Sequence, residues 1–281
     1  MRIASSALVV LAFAACDRPR SLLICHNSNC AEPADAVNDD TLEALRESLA
    51  VTVEGKPAID GVEVDLFWRA SDDTCIFAHD IEFNTDKTQL ASEAADLVAF
   101  HLTTAPQLTY GGGNFQMFVE LKDFVDAEKT VHHTPEQRLM HARCAWDFYT
   151  TVEGAAAARG VGIDFFFGSF GPEMLREVIA QTPPSVTGDR VPRYESYYGV
   201  PKPLDPETRP LSDYTGIPIS IVEFHSQWIT DNAYEGVLSL DIDVALFMFD
   251  ATVEHFAAIE QYEPTMIVTS EATLMRRWLE R

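Results

Sequence analysis

The order of the apolar runs constrains this chain more than any single motif. Strand-like stretches follow one another as SLLICHN, GVEVDLFW, TCIFAHD, FQMFVELKD, GIDFFFGSF, PISIVEFHS, DVALFMFD and TMIVTSE, with helix-patterned segments between most of them. About eight strand–helix units in succession argue for parallel strands, because each helix must carry the chain back before the next strand begins. The expected fold is α/β, a (β/α)8 TIM barrel, with residues 21–281 as one catalytic domain. An open doubly wound sheet is the alternative, but no glycine-rich nucleotide turn follows any of the runs. A length of 281 residues suits one large domain, and an apolar content of 47% supplies its core.

Local signals fill in the helices. DDTLEALRESLAV (residues 39–51) offers Asp40 as N-cap, Glu43 at the capping-box position and Leu42, Leu45 and Leu49 as one stripe. A helix is expected near 89–101. A long one begins after Thr134 as cap, with Pro135 in its first turn and Gly160 as its stop. GPEMLREVIAQ and TLMRRWLE read as further helices. Residues 183–216 are rich in Pro, Gly and Tyr and read as a long loop with one short strand at best, in SVTGDRV. Tyr194, Tyr197 and Tyr198 would then form a lid, touch a membrane or belong to an ordinary surface loop.

The formal net charge of −24 repels nucleic-acid backbones and excludes a nucleic-acid partner. It also repels any anionic substrate, so a phosphate would need local cations at its site. The first residues, MRIASSALVVLAFAAC, carry one basic residue and then an apolar run too short to anchor in a bilayer. Residues 1–15 read as a lipoprotein-type signal peptide, with Cys16 as the lipidated first residue of the mature chain. The protein is expected to be exported and membrane-anchored in a bacterial cell envelope; ordinary cleavage would leave it periplasmic or secreted. Cys25, Cys30, Cys75 and Cys144 then remain. Some could pair in an oxidising compartment, but spacing fixes no connectivity, and buried thiols are an equal alternative.

Polar residues recur at the ends of the apolar runs. Side chains alternate along a strand, so Glu63 and Asp65 share one face of GVEVDLFW while Val62, Val64 and Leu66 share the other. Two carboxylates on one buried face must be protonated, paired or bound to a cation, and no Lys or Arg lies on that face within GVEVDLFW. A divalent ion with oxygen ligands answers this, although two solvated rim acids would explain E-x-D taken alone. His26 ends the first run, His79 the third, and Glu120 and Lys122 share a face at the end of the fourth. In a barrel, strand ends converge on one mouth, so two imidazoles, three carboxylates and one ammonium would meet there. That set contains a metal site, an acid–base pair and a phosphate-binding cation.

ICHNSN, NDDTLEALRESL, DGVEVDLFWRASDDTCIFAHD and MFVELKD together resemble the phospholipase-C-like phosphodiesterases, and are most similar to glycerophosphodiester phosphodiesterases. GSFGPEMLRE and MIVTSEATLMRRWL resemble later segments of that family, with Ser270 where Asp is usual. The likeness is strong from residue 22 to 123 and thin from 183 to 243. The family's first motif usually reads His-Arg-Gly. Here it is His26-Asn27-Ser28, which resembles phosphoinositide-specific phospholipases C, whose Asn can ligate calcium.

The resemblance implies a barrel enzyme with a bound divalent cation, Mg2+ or Ca2+, held by Glu63, Asp65 and Glu120 with Asn27 as a fourth ligand. It implies His26 and His79 as the acid–base pair and Lys122 as the phosphate-binding cation, acting on a small phosphodiester or a phospholipid headgroup. His225, Phe247 and Phe249 are candidates for contact with the substrate's alcohol, with Trp228 beside them. His101, His132, His133, His141 and His255 read as surface or packing residues. Two other readings stand beside the phosphodiesterase: a phospholipase C or D acting on intact lipid, and a catalytically inactive envelope-binding lipoprotein of the same fold.

Overall fold

The computed structural model describes residues 21–31, 38–79, 89–125, 131–198, 211–248 and 250–281. Strand β1 (Leu22–Cys25) runs into a short 3-10 turn (His26–Ser28), and α1 (Leu42–Ala50) brings the chain back to a small hairpin of β2 (Thr52–Val53) and β3 (Lys56–Pro57). Then come β4 (Gly61–Arg69), β5 (Thr74–Phe77), β6 (Gln89–Leu90), α2 (Ala91–Thr104), β7 (Phe115–Lys122), α3 (Pro135–Arg159), β8 (Ile163–Gly168) and α4 (Pro172–Ala180). The second half holds β9 (Arg193–Tyr198), β10 (Ile219–His225), α5 (Asp231–Leu238), β11 (Asp243–Met248), α6 (Val253–Tyr262), β12 (Met266–Thr269) and α7 (Ala272–Leu279). Strands β1, β4, β7, β8, β9, β10, β11 and β12 pair in parallel in that order, and β1 pairs with both β12 and β4. The ring is closed, as expected of a (β/α)8 barrel.

Three local expectations are corrected. TCIFAHD does not supply a barrel strand. β5 pairs antiparallel with β4, from Leu66–Phe77 to Arg69–Thr74, so β4 overshoots the barrel and its hairpin turns the chain back toward the mouth. Apolar content alone could not distinguish this from a ring strand. Asp40 does not cap α1. Thr41 does, accepting the Ala44 N–H at 3.1 Å, while Asp40 Oδ1 accepts the Asp65 N–H at 3.0 Å. The strand of the Pro-rich region is RYESYY rather than SVTGDRV, and Tyr194 is buried in the core. Tyr197 also belongs to this strand, pairing with Glu223. The long helix follows its signals: Thr134 caps it, Pro135 opens it, and Gly160 ends it with a φ of 72°.

The barrel is filled in layers. Outward-facing residues such as Val62, Val64 and Leu66 join the large core beneath the helices. Inside, Ile24, Phe118, Phe166, Ile221, Ala245, Met266 and Val268 form an apolar plug, with Phe118 stacked on Phe166 at 4.2 Å. Lower down, the wall is so close at Gly61 that a Cβ would overlap the Gln116 carbonyl. At that end Arg276 of α7 forms a buried ion pair with Asp60 Oδ2 and donates through Nε to the Ala58 carbonyl at 2.8 Å. Disulfides join Cys25 to Cys30 and Cys75 to Cys144, which settles the pairing that spacing left open. The proposed signal, Cys16 and Phe249 lie outside the described residues.

Candidate active site

Alternation along three elements lifts the polar residues above the plug. On β7 the inward series is Phe118, Glu120, Lys122; on β4 it is Glu63 and Asp65; on β10 it is Ile221, Glu223, His225. Glu120 sits directly across from Asp65 in the β4–β7 register. Glu63, Asp65 and Glu120 are all buried, and each offers a carboxylate oxygen within 4.8 Å of the others. Lys122 Nζ lies 2.9 Å from Asp65 Oδ2 and 2.6 Å from Glu120 Oε1.

The electrostatics are severe. Burial raises Glu63 well above the usual carboxylate range, and Glu223, Asp65 and Glu120 add to the shift. Glu223 is raised likewise by burial, then by Glu195 and Glu120. Burial alone would lower Lys122, but Asp65 and Glu120 outweigh it and hold its pKa well above normal. One ammonium cannot balance three clustered carboxylates, and among the described residues Asp65 Oδ1 has no hydrogen-bond partner. An all-oxygen set with a charge deficit and a buried, unpartnered oxygen fits a hard divalent cation. Glu63, Asp65 and Glu120 are the residues that could hold it.

His26 stands beside this cluster. Its Nε2 is 3.9 Å from Glu63 Oε2, its Nδ1 is 3.3 Å from Ser270 Oγ, and its ring lies 4.3 Å from that of Phe247. Burial lowers its pKa well below normal, and His79 and Lys122 lower it further, so the imidazole is neutral at pH 7. His79 follows Ala78, whose N–H donates to the Asp65 carbonyl at 3.2 Å; the β4–β5 hairpin thus returns the second imidazole to the level of the acids. The Asn27 N–H donates to Glu63 Oε2 at 3.4 Å, and its side-chain amide donates to Asp39 Oδ2 at 3.2 Å. Ser28 Oγ donates to the Glu63 carbonyl at 2.8 Å, which fastens the 3-10 turn to β4.

The remaining candidates form an aromatic flank. Phe247 lies 5.5 Å from His225, edge to face, and His225 stacks on Trp228 at 4.0 Å. The structure therefore brings His26, Asn27, Glu63, Asp65, Glu120 and Lys122 together, with His79 at the same mouth and His225 and Phe247 alongside. Sequence reasoning gave no site role to Asp39, Asp40, Glu195 or Ser270. The signal for Glu223 was present, because it shares a strand face with His225. Glu195 was hidden by reading its strand as loop.

No protein-family model matches the chain, and no curated protein matches it in sequence. Solved structures do. A phosphodiesterase from Oleispira antarctica, in complex with the product sn-glycerol-3-phosphate, is 11% identical with a TM-score of 0.59, covering 93% of this chain and 98% of that one. A glycerophosphodiester phosphodiesterase from Parabacteroides distasonis is 15% identical with a TM-score of 0.58, covering 94% and 98%. One from Thermotoga maritima is 13% identical with a TM-score of 0.51, covering 92% and 98%. At such identities the likeness establishes the fold, the barrel on which these phosphodiesterases are built.

Proposed function

We propose that this protein is an exported, cation-dependent phosphodiesterase acting on glycerophosphodiesters or phospholipid headgroup diesters. The observation that carries the reading is the gathering of Glu63, Asp65 and Glu120 within 4.8 Å beside Lys122 and His26. The fold shared with known glycerophosphodiester phosphodiesterases supports it.

Glu63, Asp65 and Glu120 would hold Mg2+ or Ca2+, with Asn27 as a further ligand. When bound, such an ion polarises phosphoryl oxygens and lowers the pKa of a hydroxyl or water beside it. His26, being neutral, is in the protonation state of a general base. In the tautomer that donates Nδ1–H to Ser270 Oγ, Nε2 is the nitrogen that would accept the proton of the attacking hydroxyl. His79 is the complementary acid, delivering a proton to the leaving oxygen. Lys122 offsets phosphate charge in a strongly acidic protein. Phe247 and His225 flank the alcohol.

Lipidation of Cys16 would tether the enzyme to a membrane, and two disulfides support an oxidising compartment. The tether favours soluble diesters over intact lipid of the anchoring leaflet. β1 starts at the barrel end opposite the mouth, and residues 16 to 21 reach at most ~18 Å. The decisive experiment measures cation-dependent turnover of bis(p-nitrophenyl) phosphate by wild type, His26→Ala and His79→Ala. Loss in both variants supports the enzyme; equal background rates in all three favour an inactive scaffold. Glycerophosphocholine against micellar lipid then separates the phosphodiesterase from a phospholipase.

A further inference from the structure

The acids and the imidazoles of the site are carried by different kinds of element. Glu63 and Asp65 stand on β4, and Glu120 and Lys122 on β7, two ring strands paired continuously from Gly61–Gln116 to Phe67–Lys122. His26 lies beyond β1 in the 3-10 turn, and His79 lies beyond β5, a strand that only extends the ring antiparallel. Each of these outlying segments is tied by a disulfide. Cys25–Cys30 closes a short loop around His26, Asn27, Ser28 and Asn29, while Cys75, four residues before His79, is bonded to Cys144 on α3.

The first loop needs such a tie. Asn27 and Ser28 both have left-handed backbones, with φ of 46° and 56°, and neither is glycine. A cross-link over so few residues removes little chain entropy from the unfolded state, so its main effect is local. The second bridge spans 69 residues of sequence and fixes the hairpin to a helix outside the barrel.

We propose that the two disulfides are positioning devices for the two imidazoles, and that the carboxylate–lysine cluster assembles without them. The proposal rests on the phosphodiesterase reading above. It makes cation binding by the three carboxylates independent of thiol state, with only the Asn27 ligand inside the first loop at stake, and turnover dependent on oxidation. Each bridge forms when two thiols lose two protons and two electrons to a disulfide oxidant. Catalysis is therefore confined to compartments that provide one. Cys25 and Cys30 are fully buried, so thiol exchange at the first bridge, in either direction, needs local opening of its loop.

The test compares oxidised wild type with Cys25→Ala/Cys30→Ala and Cys75→Ala/Cys144→Ala. Calorimetry with Ca2+ and with Mg2+ is expected to give unchanged affinity in Cys75→Ala/Cys144→Ala, and in Cys25→Ala/Cys30→Ala, whose loop carries the Asn27 ligand, a loss far smaller than the loss of kcat. kcat on bis(p-nitrophenyl) phosphate is expected to fall about 100-fold in each pair, the scale of an ångström-sized misplacement. Unchanged kcat in both pairs, or cation affinity lost in step with kcat, overturns the proposal. Should either pair show no cooperative melt, wild type folded under reductant and then treated with oxidised glutathione replaces it. Activity must then rise as free thiols disappear, with cation binding changing far less than activity; activity preceding thiol loss overturns the proposal. If oxidised wild type cleaves no diester, the functional reading has failed instead. The clamp is then judged by NMR of His26, whose ring-current shift from Phe247 must vanish in Cys25→Ala/Cys30→Ala; its persistence overturns the clamp.

Discussion

Lys122 Nζ lies 2.9 Å from Asp65 Oδ2, a buried contact between neighbouring barrel strands. The same ammonium also meets Glu120, so it is the internal counter-charge of the cluster. In Lys122→Met the cluster becomes more negative by one charge. Cation affinity is therefore expected to hold or tighten, because a divalent ion faces less repulsion. Turnover is expected to fall by about 10²–10³-fold, the usual cost of removing one preorganised donor from a developing oxyanion. Calorimetry and diester kinetics on the same preparation check both signs, and weakened cation binding would remove Lys122 from the role assigned to it.

The acids are predicted to trade stability against binding. In chelator, Glu63, Asp65 and Glu120 repel one another in a buried site, and Asp65→Asn removes one of those charges. The variant is expected to melt no lower than wild type without cation. Wild type should gain about 2.7 kcal/mol at a cation concentration 100 times Kd, and Asp65→Asn should gain nothing. Thermal melts with and without Ca2+ or Mg2+ measure the difference. An equal cation-induced shift in both proteins would place the ion elsewhere.

Most of the barrel and much of its mouth were legible because both rest on strand alternation. E-x-D on β4 and E-x-K on β7 can only put their acids on one face, and closure of the ring brings the faces together. The hairpin of β5 was not legible, since an apolar run of that length pairs equally well as a ring strand or an antiparallel extension. Asp40 offered a capping pattern that Thr41 supplies instead, because Asp40 is drawn inward to the Asp65 N–H. Glu195 lay in a stretch whose prolines and tyrosines spoke for loop. Disulfide pairing depends on long-range geometry that no local pattern carries.

His141 gives a pH prediction away from the catalytic centre. It is buried on α3 with its ring 5.7 Å from His133, and burial, aided by His133, lowers its pKa to about 3. A lowered imidazole is unprotonated in the folded state while the unfolded chain takes up a proton. Its contribution is therefore complete above the unfolded pKa near 6.5 and is lost as pH falls toward 3. The raised carboxyls Glu63 and Glu223 act with opposite sign, favouring the folded state at lower pH. The difference between wild type and His141→Leu isolates the imidazole. Denaturant melts from pH 6.5 to 4 should show the variant's slope smaller by about 1 kcal/mol per pH unit. Parallel slopes would mean that His141 is protonated in the fold.

The other end of the barrel should separate stability from turnover. Asp60 Oδ2 accepts from Arg276 and from the Leu23 N–H at 3.0 Å, and Oδ1 accepts the Tyr110 N–H at 3.0 Å. Arg276 is 2% exposed, so its removal leaves a buried carboxylate without its counter-charge. Arg276→Met is expected to cost about 3–5 kcal/mol, and Arg276→Met/Asp60→Asn to recover part of that, because the residual charge is gone. Asp60 directly precedes β4 and Arg276 reaches it from α7, so the pair lies at the strand-start end, where barrels hold stabilising rather than reacting groups. Well below the melting temperature, kcat and cation affinity should therefore match wild type in both variants. Urea melts supply the first quantity and diester kinetics the second; a kcat that falls with stability under fully folded conditions would show that the two ends of this barrel are coupled.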